Sequence, residues 1–477
     1  MGKKMISLLL CLLLTGGTVF AAFTPQIDVT DGEKMYGFFN TILSITEKQY
    51  RFGVTREELL DAAIKEVLKE HPELFDEMAK GAYGILDENS RYLTIEEYEG
   101  RSEQVSGQFE GIGINVSEYD GVTLVGSPIK GSPAQLAGIQ AGDVIVSVDG
   151  EDIRGYVLDQ TVALIRGERG TPVEIGVTRG GEQLMFTVTR DVIKINPVTH
   201  YALGENNAGY VAISTFNANT GVYLDDALRD LARQGVDKVI LDLRYNLGGL
   251  LSEAVRAASY FVPDDVIVVS EDFQNPEKNT EYRAARTDIK FKTVVLVNEY
   301  SASASEIVAA AIQDHGAGVL AGKTTFGKGT VQQSVHLKNG GAMWLTIAKY
   351  LTPSGAYIHE VGITPDYWVR NTTEKPDTSV LEPITGERTL TFGAVGKDVL
   401  AVEQRLELMG YPMDTVDEVY NEQTELMVSN FQRDAGLFVY GTADLTTQIK
   451  IMEAAGETEV EVDKQLEKAK ELILALK

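Results

Sequence analysis

Residues 293–316 read TVVLVNEYSASASEIVAAAIQDHG, and this stretch decides the architecture of the middle of the chain. It opens on β-branched and apolar residues, TVVLVNEY (293–300), as a buried strand requires. Small residues follow, and from Ser305 the pattern turns helical, SEIVAAAIQDHG (305–316). The same alternation lies upstream, where VDKVILDLR (236–244) reads as a strand and LLSEAVRAASYFV (250–262) as a helix. Strands alternating with helices predict an α/β layer around a parallel sheet, beginning near Gly209.

Between about 110 and 192 the pattern changes to short alternating strands with glycine turns, as in GIGINVSEYDGVTLVG (111–126) and AGDVIVSVDGEDI (141–153), which predicts a small β-rich domain. From Asp31 to about Leu86 apolar residues recur at helical spacing (Leu59, Leu60, Ala63, Ile64, Val67, Leu68), with Thr55 as the capping residue ahead of Glu57 and Glu58. Downstream, the polar stretch 371–389 reads as a linker, and a compact helical segment follows it. The closing VDKQLEKAKELILALK places Val462, Leu466, Ala469, Ile473 and Leu476 on one helix face, expected to dock on the core rather than form a coiled coil.

At 477 residues the chain exceeds one ordinary core, so about three domains are expected. A net charge of −27 argues against nucleic acid as a partner, because phosphate binding needs clustered Lys and Arg. The leader carries Lys3 and Lys4, an apolar run from Met5 to Leu14 and small residues before Ala21, the pattern of a secretory signal. That run is shorter than the roughly 20 residues of a spanning helix, so cleavage after Ala21 is favoured over a retained anchor. The single cysteine, Cys11, lies in this leader, which leaves the mature chain without a thiol for disulfides, catalysis or zinc ligation.

A serine in the SASAS run sits at a helix N-terminus, where free N–H groups and the helix dipole favour a developing oxyanion. Ser301, Ser303 and Ser305 are all candidates on chemistry alone, and serines before a helix are ordinarily caps. A serine nucleophile needs a base. None of His71, His200, His315, His336 and His359 lies in a triad motif. Lys328, between Gly327 and Gly329, is the alternative: neutral when burial lowers its pKa, with Gln332 four residues on to orient it. Taken singly, such a lysine is a solvated surface charge.

At these residues the sequence resembles the carboxy-terminal processing peptidases, the tail-specific serine protease family, over most of its length. The resemblance implies that Ser303 attacks the scissile carbonyl, Lys328 is general base and then acid, and Gln332 positions Lys328. LDLRYNLGG (241–249), LTPSG (351–355) and GITPD (362–366) match as well, and the family pattern makes the amides of Gly249 and Ala304 the oxyanion hole. Tyr300 departs from the glycine usual there, and Glu306 is either a local hydrogen-bonding partner or a helix-terminal charge. The implied fold is multidomain α/β + β: a crotonase/ClpP-like α/β peptidase core with an inserted PDZ domain, a helical N-terminal segment and a small helical peptidoglycan-binding-like domain.

The β-rich segment resembles a PDZ domain, with GIGI (111–114) and SPAQLAGIQAGDVIVSVDG (132–150) as landmarks. PDZ domains add a peptide strand to a sheet edge and hold its carboxylate with backbone amides. The cradle is then the loop of Phe109, Gly111, Ile112, Gly113 and Ile114, with Arg166 where the family couples tail and active site. Residues 393–447 resemble a peptidoglycan-binding bundle, although Glu418 and Asn421 replace the small residues usual at two turns. The expected division is signal peptide 1–21, helical segment 22–92, PDZ domain 93–192, peptidase core 193–370, linker 371–389, wall-binding-like domain 390–455 and closing helix 456–477. The expected partners are proteins with apolar C-terminal tails, peptidoglycan and a second copy of the chain, outside the cytoplasmic membrane, with no cofactor and no metal. The competing classes are a PDZ and wall-binding adaptor without activity, and an acyl-CoA enzyme of the crotonase type.

Overall fold

The computed structural model describes residues 31–119, 121–204, 207–413 and 415–476. The expected signal peptide, with Cys11, lies outside the described residues. The chain divides into two compact units, one ending at Ile85 and one beginning at Leu86. The first holds helices Gly32–Gln49, Arg56–Glu70 and Phe75–Tyr83. Thr55 caps the second of these reciprocally: Glu58 N–H donates to Thr55 Oγ1 at 3.1 Å and Thr55 N–H to Glu58 Oε2 at 2.8 Å.

At the centre of the second unit is a six-stranded sheet in the order Val198–Ala202, Ala208–Ile213, Lys238–Asp242, Lys292–Val297, Gly318–Gly322, Tyr367–Trp368. The first pair is antiparallel and the rest are parallel. Its inner strands are buried on both faces, so they read as continuous apolar runs. Val239, Leu241, Val295 and Val297 meet helices Thr220–Arg233, Leu251–Ala258 and Ala304–Asp314, while Ile240, Val294 and Leu296 meet helix Lys464–Ala475 through Ala469 and Ile473. The closing helix therefore docks on the core by the face its spacing marked out from Leu466 onward, whereas Val462, expected on that face, lies ahead of the helix in strand Val460–Val462.

A second, antiparallel sheet flanks the first, in the order Arg91–Leu93, Ala342–Leu351, Ile267–Phe273, Thr280–Arg283, with Thr330–His336 also paired to Ala342–Leu351. Nothing in the sequence reading anticipated it. Arg91–Leu93 thus belongs to the core, and helix Ile95–Ser106 lies between it and the β-rich domain.

The β-rich domain is an antiparallel sheet of Ile114–Tyr119, Val122–Pro128, Val144–Val148, Pro172–Arg179 and Glu182–Thr189, with helix Leu158–Ile165 on it and Ile112, Val125, Ile145, Ile175 and Val177 in its core. Its entry and exit strands, Gln108–Gly111 and Asp191–Lys194, pair with each other, so the domain is an insertion. The same device recurs later: Thr372–Glu374 pairs with Val460–Val462, and between them helices Lys397–Leu408, Glu422–Asp434 and Leu445–Glu457 close around Val402, Leu406, Tyr420, Val428, Phe431 and Ile451.

Candidate active site

The central strand Lys292–Val297 delivers three serines with three different fates. Ser301 is buried and its hydroxyl donates to Leu243 O at 2.8 Å; Ser305 is buried and its hydroxyl donates to Asn246 O at 2.9 Å. Ser303 is half-buried, and its side chain makes no capping hydrogen bond although it occupies the cap position of helix Ala304–Asp314. Its backbone is held at φ 55° and ψ −112°, a conformation that costs a non-glycine residue and concentrates at functional sites.

The turn 246–249 is stitched against this one. Asn246 is fully buried: its amide donates to Ile213 O at 2.8 Å, its side-chain oxygen accepts Gly248 N–H at 2.9 Å and its carbonyl accepts Ala302 N–H at 3.0 Å. Glycine is required at positions 248 and 249 by close approach. A Cβ on Gly248 would lie 2.8 Å from Ser303 Cβ, and one on Gly249, at φ 145°, would lie 2.2 Å from Phe216 O. Ala304 is the first residue of its helix, where an N–H has no partner within the helix.

Lys328 enters from the loop before Thr330–His336, and Glu306 fixes it beside the serine turn. The Glu306 carboxylate is buried and accepts four hydrogen bonds: Ser303 N–H at 2.8 Å, Thr325 Oγ1 at 2.5 Å, Gly327 N–H at 2.7 Å and Lys328 N–H at 2.8 Å. Burial pushes its pKa up, against the pull of those donors. The buried Tyr350 hydroxyl reaches both Lys328 O and Ser303 O, a second bridge between the two segments. Burial, and then the positive charges of Arg101 and Arg91, push the Lys328 ammonium below the usual lysine value. Among the described residues no hydrogen bond joins Lys328 Nζ to Ser303 Oγ.

Gln332 sits at a bulge in the pairing with Ala342–Leu351. Its Nε2 donates to Thr330 Oγ1 at 2.8 Å and Thr346 Oγ1 at 3.2 Å, and Thr346 is in turn held by Asp87 and Ser90. Glu306, Asn246 and Tyr350 were not identified from sequence as organisers of the site; the position of Glu306 three residues after Ser303 was the one available signal.

The residues expected to cradle a substrate tail are distributed differently. Phe109 and Gly111 pair with Ile193 and Asp191, and the Ile112 side chain is packed in the domain core, leaving only its backbone to a ligand. Gly113 has φ 78°, and Ile114 begins the first strand of the sheet. Arg166 is engaged: it pairs with Glu103 at 2.8 Å and lies 5.0 Å over the Phe109 ring.

Comparison with known proteins matches residues 207–369 to peptidase family S41, 124–179 to the PDZ domain and 395–451 to a peptidoglycan binding domain. The chain is 32% identical over 466 residues to the carboxy-terminal processing protease CtpA of Bacillus subtilis, covering 97% of this chain and 95% of that protein. It is 36% identical over 371 residues to a CtpA-like serine protease of Staphylococcus epidermidis, covering 77% and 74%. Among solved structures, the photosystem II D1 C-terminal processing protease covers 72% of this chain and 93% of its own at 29% identity, with a TM-score of 0.40.

Proposed function

The chain belongs to the carboxy-terminal processing serine proteases of peptidase family S41, and from that premise we propose that it is a Ser303–Lys328 endopeptidase whose PDZ domain captures the C-terminal tails of its substrates. Lys328, neutral, takes the Ser303 proton as Oγ attacks the scissile carbonyl. The tetrahedral oxyanion is held by the N–H groups of Gly249 and Ala304. Collapse expels the amine of the C-terminal fragment, protonated by Lys328, and leaves an acyl ester on Ser303. A water then gives a proton to Lys328 as it attacks the ester, and Lys328 returns that proton to Ser303 Oγ as the acid product leaves, which restores both the serine and the neutral amine. Gln332, anchored through Nε2 by two threonine hydroxyls, keeps Oε1 as the acceptor that positions Lys328 Nζ.

The observation that carries this reading is the shared carboxylate: Glu306 holds the backbones of Ser303 and Lys328 together. The Ser303 side chain, which makes no capping hydrogen bond among the described residues while the hydroxyls of Ser301 and Ser305 are engaged, supports the choice of nucleophile. Sheet and helices of the crotonase/ClpP-like type are the proposed scaffold. In this reading the leader exports the enzyme across the cytoplasmic membrane, the helical insertion binds peptidoglycan, and apolar tails dock on the PDZ sheet. A homodimer is supported by the exposed apolar residues of the first unit, among them Met35, Phe38, Ile42 and Ile45.

The test compares wild type with Ser303→Ala, Lys328→Ala, Ser301→Ala and Ser305→Ala on an unfolded protein ending in an apolar tail. Cleavage is expected to vanish in the first two variants and persist in the last two. Equal cleavage by all five proteins would sink the mechanism, and no cleavage by wild type would favour the adaptor.

A further inference from the structure

Large apolar side chains stand exposed on each of the three loops that carry the candidate catalytic groups: Tyr245 and Leu247 ahead of Gly249, Tyr300 ahead of Ser303 and Phe326 ahead of Lys328. A single exposed apolar residue needs no explanation, but a cluster rimming one turn does. The loops are tied to one another, since Phe326 N–H donates to Ser301 O at 3.0 Å and Ala302 N–H to Asn246 O at 3.0 Å.

Two of these side chains are arranged with particular constraint. The rings of Tyr245 and Tyr300 are stacked, 5.6 Å between centroids and 21° between planes, while remaining 63% and 50% exposed. One atom fixes both backbones: the side-chain oxygen of buried Asn298 accepts Tyr245 N–H at 3.0 Å and Tyr300 N–H at 3.1 Å. Tyr245 is held at φ 61°, which a bulky residue adopts only where its surroundings impose it. It also borders an open cavity of about 290 Å³ whose lining includes Ala212 and Ile213 and the ion pair of Asp242 and Arg244. A strained, pinned and solvent-facing aromatic pair does little for the core, where its area is not buried.

We propose that the stacked Tyr245–Tyr300 pair is a specificity subsite that seats an aromatic or branched apolar side chain of the substrate polypeptide beside the scissile bond. The inference rests on Ser303 as the nucleophile, because a chain crossing Ser303 passes residues three and four positions before the nucleophile and the oxyanion turn. Stacked rings leave faces and edges on which another ring or an aliphatic group gains by offset or edge contact, and two side-chain torsions per tyrosine keep the entropy lost on binding small.

The test uses the full chain and a library of unfolded peptides in which each position within three residues of the cut carries Phe, Leu, Ala or Asp, with cleavage sites mapped by mass spectrometry. Wild type should favour Phe and Leu at one position. Tyr300→Gly and Tyr245→Ala should lower the Phe-to-Ala ratio of kcat/KM at that position about tenfold, and Tyr300→Phe with Tyr245→Phe should keep it. An unchanged ratio in variants with the wild-type unfolding midpoint overturns the subsite. So does a wild-type map without apolar enrichment, which needs no variant to fold. Cleavage by Ser303→Ala at the wild-type rate would instead overturn the dyad, so the two failures are separable.

Discussion

Ser303 and Lys328 donate their backbone N–H groups to the same oxygen, Oε2 of Glu306, each at 2.8 Å. The Ser303 turn and the Lys328 loop are 25 residues apart in sequence, and this carboxylate, together with the Tyr350 hydroxyl, ties them to each other. Glu306→Ala would leave three N–H groups and the Thr325 hydroxyl without their acceptor in a buried site, each costing about 1–3 kcal/mol. We expect a loss of at least about 3 kcal/mol in urea unfolding and a fall in kcat/KM of about 100-fold or more from displaced groups. Glu306→Gln should fall between. Because burial raises the folded-state pKa of Glu306 above its unfolded value, its stabilising contribution is complete below the unfolded glutamate range and is lost as pH rises through the folded value. That slope should disappear in Glu306→Gln, and its persistence would show that another group causes it.

Lys328 has the opposite sign. Its folded pKa is lowered by burial first and then by Arg101 and Arg91, so the stability linked to it is present above the unfolded lysine pKa and lost as pH falls through the folded value. Folding therefore disfavours the ammonium form of half-buried Lys328, and Lys328→Met should raise the unfolding midpoint at neutral pH while abolishing turnover. The rising limb of kcat against pH should report Lys328 losing its proton below the usual lysine range. Arg101, whose guanidinium lies 4.2 Å over the Trp344 ring and whose Nε has no hydrogen-bond partner among the described residues, is the charge that acts on it most strongly. Arg101→Met should shift that limb to higher pH. A limb that stays in place in a folded variant would remove Arg101 from the account.

The sequence carried the parts of this site whose signals are local. The strand, the small-residue turn and the helix of 293–316 follow from residue type within one window, and the apolar face of the closing helix told where Ala469 and Ile473 would pack. What it did not carry depends on pairing across long separations. Arg91–Leu93 is a strand only because Ala342–Leu351 lies beside it, and three residues hold no periodicity to read. Glu306 had two readings from sequence because its partners Thr325, Gly327 and Lys328 arrive through the tertiary fold. The engagement of Arg166 by Glu103 is likewise a contact between residues 63 apart.

Glu374 faces Val460 at the last pair of the neck that carries the helical insertion. The bundle beyond it has its own core around Tyr420, Phe431 and Ile451, whereas Asp463, Ala469 and Ile473, which bind Arg244 and the central sheet, lie past the neck. Residues 375–459 should therefore be removable without disturbing the core. Because the neck strands are antiparallel and in register, an Asn-Gly pair can close them as a two-residue hairpin. The shortened chain should fold with kcat/KM within about twofold of wild type on a soluble tailed substrate, since distant independent sites act additively, and it should no longer sediment with peptidoglycan. Among the described residues a hydrogen bond given up at the surface is that of Asn430 to Tyr119, which is exposed, and little stability rests on it. A shortened chain that folds but loses turnover on the soluble substrate would make the insertion part of the catalytic apparatus. One that still sediments with peptidoglycan would move wall binding elsewhere in the molecule.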